Sequence, residues 1–279
     1  MNVGVVGAGR MGRWFARHFK RLGHSVTLYD VNRERAEAVS REIGCASSES
    51  LEGLEADAYL VAVPIERTLD VVRELSSKGA GGIVEIASLK SEIHKGLVPL
   101  ARSGVKVASI HPLFGEGAED LREERVALVP ILDWREELDF VKGLMGEANY
   151  EVVSAEEHDE AMAVVLGLTH LLNMLFSSLT VEKEEELKKF SSRMFLAQLT
   201  LSKAMMLEDP ELFVRLQLDN PKFPDVMDGL ERELKDVREF VEKKDREGYK
   251  RKFERIRERV KGKEGAYRLI YGLELGSEP

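Results

Sequence analysis

The chain has 279 residues, 43% of them hydrophobic and 33% charged, which is typical of a folded globular protein of about two domains and excludes a disordered or fibrous chain. The formal net charge of −9 argues against nucleic acid and anionic membranes as partners, because both bind basic surfaces. Cys45 is the single cysteine, so no internal disulfide forms, and we expect a protein of the reducing cytoplasm.

From Asn2 to Val153, short β-branched runs alternate with helical patterns, which is typical of βαβ units that build a parallel sheet. The predicted strands are Val3–Val6, Val26–Tyr29, Tyr59–Val63, Ile83–Ala87, Val107–Ile110, Val126–Val129 and Tyr150–Val153. We therefore predict an α/β domain over residues 1–153.

After Val153 the strand signal stops, and a capping-box pattern over Ser154–Glu157 begins a helix that is apolar from Ala161 to Leu179. That apolar stretch is expected between other helices or in a subunit interface. Later helices are predicted at Glu184–Glu208, Pro210–Leu218, Pro224–Lys243 and Arg246–Val260, and the end, Leu275–Pro279, resembles a linker. Residues 154–279 are therefore predicted to form an all-α domain.

Gly7-Ala8-Gly9-Arg10-Met11-Gly12 follows the first predicted strand and begins a helical pattern, which is where a G-x-G-x-x-G motif binds a dinucleotide. Gly7 permits the tight turn, Gly9 lets the backbone approach a pyrophosphate, and Gly12 lets the helix pack closely on the sheet. The residues expected to contact the cofactor here are Gly7, Gly9, Arg10, Met11 and Gly12. The first domain is therefore predicted to be of the Rossmann type.

Asp30 lies 18 residues after Gly12, at the end of the second predicted strand, where an acidic side chain binds the ribose 2′-hydroxyl of a dinucleotide. A carboxylate there repels the 2′-phosphate of NADP and favours NAD, although nearby Arg33 could weaken that preference. Val63-Pro64 ends another predicted strand on the same sheet edge and is expected beside the nicotinamide or its ribose.

Two further loops follow predicted strands, Ser88-Leu89-Lys90-Ser91 and His111-Pro112-Leu113-Phe114-Gly115. A His with a pKa near 6.5 can accept a proton at neutral pH, so His111 is a candidate general base. Ser88 can donate a hydrogen bond and Lys90 can attract an anion. Taken singly, each of these residues is more often structural than catalytic, but here they follow a dinucleotide motif.

The sequence resembles the prephenate dehydrogenase family, which includes arogenate dehydrogenases. The motifs that carry the resemblance are Gly7–Gly12, Ala87-Ser88-Leu89-Lys90, His111-Pro112-Leu113-Phe114-Gly115, Glu157-His158-Asp159, Leu168-Thr169-His170, Ser191-Ser192 and Glu208-Asp209-Pro210-Glu211-Leu212. They extend over nearly the whole chain. The resemblance implies an active site in a cleft between the two domains, a helical domain that dimerises, and no metal.

The implied reaction is the NAD-dependent oxidative decarboxylation of prephenate to 4-hydroxyphenylpyruvate in tyrosine biosynthesis. His111 is then expected to take the proton of the ring 4-hydroxyl, while Ser88 bridges His111, substrate and cofactor, and Lys90 offsets the negative charge of the substrate. Some relatives are fused to further modules of aromatic biosynthesis, so the chain is compatible with an extension beyond residue 279.

In the helical domain, the resemblance implies that His170 reaches the substrate, with a buried structural His as the alternative. His158 is expected to be a surface or capping residue, and the remaining histidines, His18, His24 and His94, are interpreted as structural. The family usually has an Arg five residues before the Asp-Pro pair, but Ala204 is at that position here. Lys203 and Arg193 are the alternative cations for a substrate carboxylate.

Three other interpretations stay open. Arogenate differs from prephenate only in carrying an amino group in place of the side-chain keto group. β-Hydroxyacid dehydrogenases and imine reductases share the two-domain pattern but typically use a Lys of the helical domain and lack the His-Pro-x-Phe-Gly motif. A non-catalytic NAD sensor is the third, and its best support is Ala204.

Overall fold

The computed structural model, which describes residues 1–273, has a sheet of eight strands in its N-terminal part. The strands are β1 (Asn2–Val6), β2 (Ser25–Tyr29), β3 (Ala46–Ser47), β4 (Ala58–Val61), β5 (Ile83–Glu85), β6 (Val107–Pro112), β7 (Arg125–Leu128) and β8 (Asn149–Val152), in the order β3-β2-β1-β4-β5-β6-β7-β8. All seven predicted strands are present, and the Rossmann-type fold class is confirmed.

Two features of the sheet differ from the prediction. Strand β7 runs antiparallel to β6, with His111 paired to Ala127, whereas a parallel sheet was expected. The connection between these strands contains one short 3-10 helix, Leu121–Glu123, instead of a full crossover helix, and a parallel pairing needs such a crossover. The edge strand Ala46–Ser47 was not predicted, because two exposed residues give no hydrophobic alternation.

Helices cover both faces of this sheet, which is why its central strands are nearly continuous apolar runs. The helices are α1 (Arg10–Arg21), α2 (Arg33–Ile43), α3 (Ile65–Ser77), α4 (Ser91–Arg102) and α5 (Trp134–Met145). Aromatic side chains of α1, Trp14, Phe15 and Phe19, pack with residues of α2 and α5 in one core layer. Residues of α3 and α4 form the other layer.

The chain divides into two compact units, Met1–Asp159 and the residues from Glu160 onward. The helices after the sheet are α6 (Ala155–Met162), α7 (Thr169–Thr180), α8 (Glu184–Lys188), α9 (Arg193–Met205), α10 (Pro210–Val214), α11 (Phe223–Lys243), α12 (Arg246–Arg259) and α13 (Lys263–Gly272). The predicted boundary between Val153 and Ser154 precedes the first turns of α6. His158 and Asp159 in those turns belong to the first unit.

The helical prediction needs two corrections. The helix expected over Glu184–Glu208 is two helices, because Ser192 caps α9 by accepting a hydrogen bond from the Phe195 N–H. Helix α13 was not predicted. The linker expected at Leu275–Pro279 lies outside the described residues.

The helical segment Ala155–Lys188 is long and apolar enough to cross a membrane by length and composition alone, a test that core helices of soluble proteins also pass. It contains a π-helical stretch, Ala163–Leu168, where Gly167 packs so close to Phe223 that a Cβ would lie 2.7 Å from the ring. Exposed side chains on it include Val165, Leu172 and Leu179, so within the single chain the predicted burial between helices is only partial.

Candidate active site

The glycine motif forms the turn between β1 and α1. Gly7 has a φ of +105°, and a Cβ on it would lie 2.2 Å from the Ala62 carbonyl oxygen. A Cβ on Gly12 would lie 1.8 Å from the Gly7 oxygen, so only glycine lets the helix approach the strand this closely. Gly9 precedes α1 and a Cβ there would meet nothing within 4 Å. The open space at Gly9 and the N–H groups of the helix fit a pyrophosphate.

The other predicted cofactor residues have distinct surroundings. Arg10 forms an ion pair with Glu116 at 3.5 Å, and Met11 packs against the core layer that contains α1. Half-buried Val63 packs against the opposite layer, and exposed Pro64 caps α3. Their contacts with a cofactor stay a prediction.

Asp30 is buried at the end of β2 and accepts hydrogen bonds from the Ala8 N–H at 2.7 Å and the Asn32 N–H at 2.8 Å. Arg35, in the first turn of α2, binds the same carboxylate through its guanidinium at 2.7 Å. Burial would raise the pKa of Asp30, but the hydrogen bonds from Arg35 and the two backbone N–H groups hold the pKa below its usual value. The carboxylate is therefore ionised and aligned beside the glycine turn.

The cation nearest Asp30 is therefore not the one that the sequence indicated. Arg33 is exposed and pairs with Glu37 and Glu49, while Arg35 lies two residues farther along the helix and pairs with Asp30. A helix turns by 100° per residue, so two neighbouring arginines on a predicted helix cannot be assigned to a partner on the sheet without the helix phase.

His111 lies in β6, one residue beyond the predicted end of that strand, and is buried. Its Nδ1 is 2.9 Å from Nε2 of His158, and Nδ1 of His158 is 2.9 Å from Oδ1 of Asp159. Burial, followed by the nearby His158 and Lys90, lowers the pKa of His111 well below its usual value. His111 is therefore neutral at neutral pH, as a general base must be.

Lys90 is enclosed by protein groups, and its predicted role of offsetting the charge of the substrate stays a prediction. Its side chain is fully buried, and Nζ donates to Oε1 of buried Glu85 at 2.7 Å and to the Ile110 carbonyl oxygen at 2.6 Å. Glu85 also accepts hydrogen bonds from the Ser109 hydroxyl and from the Ala87 N–H. An isolated lysine charge at this depth is unfavourable, and Glu85 is the partner that compensates it.

The pair acts on the backbone that carries the candidate base. Lys90 binds the carbonyl of the residue before His111, and Ser109, two residues before His111, binds Glu85. Ser88 lies in the loop between Glu85 and Lys90 and is half-buried. Among residues 1–273, no hydrogen bond joins Ser88 to His111, so the bridging role of Ser88 stays a prediction.

In the second unit, His170 is buried and stacks on Phe213 with ring centroids 4.6 Å apart. Its Nδ1 is enclosed and has no hydrogen-bond partner among the described residues, and burial lowers the pKa of the ring. The Lys203 ammonium pairs with Glu184 at 2.6 Å, and Arg193 binds the Leu273 carbonyl oxygen at 2.8 Å. The predicted contacts of these residues with a substrate stay untested.

Two family models match the chain: "Prephenate dehydrogenase, nucleotide-binding domain" over residues 15–153 and "Prephenate dehydrogenase, dimerization domain" over residues 154–255. The chain belongs to the prephenate dehydrogenase family. The resemblance read from the sequence motifs is thus confirmed, and the first unit is the family's nucleotide-binding part.

Individual members of the family are distant relatives. A probable arogenate/prephenate dehydrogenase of Methanocaldococcus jannaschii is 28% identical over 259 residues, which are 88% of this chain and 57% of that protein. A prephenate dehydrogenase of Lactococcus lactis is 27% identical, over 96% of this chain and 80% of its own length. The chain thus spans little more than half the length of the first of these relatives.

The fold agrees with a crystal structure of prephenate dehydrogenase from A. aeolicus, solved in complex with hydroxyphenyl propionate and NAD+. The TM-score is 0.73 at 23% identity, with 93% of this chain and 97% of that chain covered. The agreement covers both the sheet domain and the helical domain, as the sequence predicted.

Sequence reasoning missed four side chains of the first unit: Glu85, Arg35, His158 and Asp159. Glu85 interrupts an otherwise apolar predicted strand, and a charged residue in such a run is the signal of a buried partner. His158 and Asp159 lie in one of the family motifs. The expectation that His158 is a surface or capping residue is wrong, since it is buried, and Asp159 was given no role of its own. Their partners, His111 and Lys90, are far away in the sequence.

Proposed function

We propose that the protein is an NAD-dependent prephenate dehydrogenase that converts prephenate to 4-hydroxyphenylpyruvate and carbon dioxide. The observation that carries the proposal is His111, a neutral buried imidazole whose Nδ1 is bound by His158 while its Nε2 has no hydrogen-bond partner among residues 1–273. The family membership supplies the reaction, and this geometry supplies a base for it.

The residues of the glycine turn suit NAD as the cofactor. The pyrophosphate would lie against Gly9 and the first N–H groups of α1, and the ionised Asp30 would accept hydrogen bonds from the adenosine ribose. When bound, NAD supplies the acceptor for the hydride that leaves the ring carbon of the substrate. The N–H of Ala8 fixes the Asp30 carboxylate beside the turn.

His111 then performs the proton transfer. Its free Nε2 accepts the proton of the ring 4-hydroxyl as hydride leaves the same carbon, so that oxygen becomes a carbonyl. Breaking the bond to the ring carboxylate releases carbon dioxide, and that electron pair makes the ring aromatic with a phenolate oxygen. His111 returns its proton to this oxygen. Because aromatisation drives the reaction, the protein mainly has to position the substrate and hold one proton.

The sequence-based roles of Ser88 as a hydrogen-bond donor and of His170, Lys203 and Arg193 in substrate binding remain part of the proposal. Arogenate is the second candidate substrate, because the relative from Methanocaldococcus jannaschii is described as acting on either compound.

We also infer a homodimer. The family model over residues 154–255 is described as a dimerization domain, and apolar side chains such as Val165 and Leu179 are exposed in the single chain. The expected cytoplasmic location and fusion to further modules stay predictions.

The deciding experiment is NADH formation by the purified chain with NAD and either prephenate or arogenate. Turnover with one substrate and not the other identifies the enzyme. His111→Asn is expected to lower kcat by about 10²–10⁴-fold while the Kd for NAD stays unchanged. No turnover with either substrate, together with measurable NAD binding, would favour another class of dehydrogenase or a sensor.

A further inference from the structure

A continuous hydrogen-bonded chain of three side chains leads away from the candidate base. His158 lies between His111 and Asp159, with both contacts at 2.9 Å. The exposed fractions are 6% for His111, 2% for His158 and 1% for Asp159, so water cannot compete for these bonds.

Asp159, the acceptor at the end of this series of three side chains, determines which ring nitrogens carry protons. Burial would raise the pKa of Asp159, but hydrogen bonds from His158, Ser91 and Lys90 hold the pKa below its usual value, so Asp159 is a carboxylate. A carboxylate only accepts hydrogen bonds, and the N–H groups of Lys90 and Ser91 each bind it at 2.8 Å. The nitrogen of His158 that faces Asp159, Nδ1, must therefore carry a proton.

The proton on Nδ1 of His158 in turn determines which nitrogen of His111 is protonated. A neutral imidazole has one N–H and one lone pair, so Nε2 of His158 is an acceptor once Nδ1 is the donor. Nδ1 of His111 must then carry the proton that fills the 2.9 Å contact. The lone pair of His111 is thereby left on Nε2.

We propose that the His158–Asp159 pair holds His111 in the tautomer whose Nε2 can accept the proton of the substrate. His158 and Asp159 are positioning residues, because they act through His111 and need not touch the substrate. The inference rests on the proposed function for the identity of the proton donor, but the tautomer is a property of the resting protein.

The same pair also stabilises His111 after it has taken the proton. The charged groups around this ring are Lys90 and Asp159, with His158 as the titratable neighbour; Lys90 and His158 oppose a positive charge on His111, and Asp159 favours it. Glu85 compensates Lys90 at 2.7 Å. With Nδ1–H donating to His158, a protonated His111 is linked by hydrogen bonds to the Asp159 carboxylate until the proton returns to the phenolate oxygen.

Asp159 has a second task that makes it a poor test residue. It binds the N–H groups of Lys90 and Ser91 at the start of α4, so its replacement also disturbs the loop that carries Ser88. Among residues 1–273, the ring nitrogens of His158 bond only to His111 and Asp159, so changes at His158 test the proposal most directly.

The first test reads the tautomer without any substrate. In full-length protein labelled with 15N-histidine, two-bond 1H–15N correlations report which ring nitrogen is protonated, and six histidines are few enough to assign by single variants. We expect His111 to be protonated on Nδ1 at neutral pH. His158→Leu removes the acceptor, and His111 should then shift toward Nε2–H. His158→Gln should retain Nδ1–H, because its amide can donate to Asp159 and accept from His111.

His94→Leu is the matched control, because His94 also bonds through a ring nitrogen, to the Pro130 carbonyl oxygen, but lies outside the chain of three residues. It should leave the His111 signals unchanged. A wild-type His111 protonated on Nε2, or one whose tautomer is the same in wild type and His158→Leu, would overturn the proposal. Neither result depends on turnover, so a failure of the proposed function is recognised separately.

The second test reads catalysis. We expect His158→Leu to lower kcat about 100-fold or more with little change in the KM for NAD, and to change the acid limb of the pH profile of kcat/KM. His158→Gln should recover most of the lost kcat. Equal losses in the two variants, with folding confirmed by circular dichroism, would contradict a tautomer-setting role.

Discussion

The glycine turn and the surroundings of His111 lie in the same unit but are built differently. Around Gly7 and Gly12 the shape comes from the backbone, which approaches so closely that no Cβ fits. Around His111 the shape comes from buried polar side chains of β5, β6 and α6 and of Lys90, which precedes α4. In the glycine turn the residues that need to be glycine lie within one short motif, whereas a side-chain network fails if one distant partner is removed.

The largest expected effect is on the side-chain network. Lys90→Met leaves Glu85 buried without its cation, and we expect a loss of about 3–5 kcal/mol in the free energy of unfolding. Lys95→Met is the matched control, because Lys95 pairs with Glu92 on the surface and its loss should change stability very little. Urea denaturation measures both variants. A Lys90→Met protein as stable as Lys95→Met would show that the ion pair is not needed for the fold.

The next effect separates two tasks within the glycine turn. Gly12→Ala forces α1 away from the Gly7 oxygen, and we expect a loss of about 1–3 kcal/mol together with most of the NAD affinity. Gly9→Ala meets no protein atom, so it should weaken NAD binding while stability stays close to wild type. Gly143→Ala, on an exposed helix position with equal space, should leave NAD affinity unchanged and raise stability by about 0.5–1 kcal/mol. Thermal melts and NAD titration distinguish the three variants, and unchanged NAD affinity in Gly9→Ala would argue against the pyrophosphate assignment.

A smaller effect concerns the choice between NAD and NADP. Asp30→Ala removes an acceptor for the ribose and should raise the Kd for NAD about tenfold, with less effect on NADP. Arg35→Ala frees the carboxylate of Asp30 and should increase the preference for NAD, whereas Arg33→Ala should leave it unchanged. Titration with both dinucleotides measures these values. Equal losses for NAD and NADP in Asp30→Ala would contradict the ribose contact.

The smallest effect is the dependence of stability on pH. Burial lowers the pKa of His111, so the unfolded chain binds a proton below about pH 6.5 that the folded protein does not. The contribution of neutral His111 to the free energy of unfolding is complete above about pH 6.5. It is lost as the pH falls toward the lowered pKa of His111 in the folded state. Between pH 7.5 and 5.5 we expect Tm to fall by about 2–4 °C less in His111→Asn than in the wild type. Gly9→Ala should keep the wild-type slope of Tm against pH. Identical slopes in the two variants would contradict the neutral burial of His111.

The same difference explains how much the sequence could reveal. The glycine turn, Asp30 and the succession of strands along the chain were predictable, because each depends on spacing within a βαβ unit. His111 was found because the end of a strand places it at the ligand edge of a sheet. The pairing of Lys90 with Glu85 was not found, since the strand pattern gives the position of a residue but not the direction of a long side chain. His158 was misread for a related reason, because its partner lies 47 residues earlier.

The π-helical stretch Ala163–Leu168 has a consequence for the apolar pattern that follows it. A π turn takes up an extra residue, so the helical wheel of the residues after it is out of phase with that of Glu160–Met162 by about 100°. The apolar residues before and after the π turn therefore lie on different faces of the helix. When the sequence is treated as one regular α-helix, these two faces together look like a helix that is apolar on all sides. Deleting one residue of this stretch would keep the helix and rotate His170, and every side chain after it, toward a different neighbour.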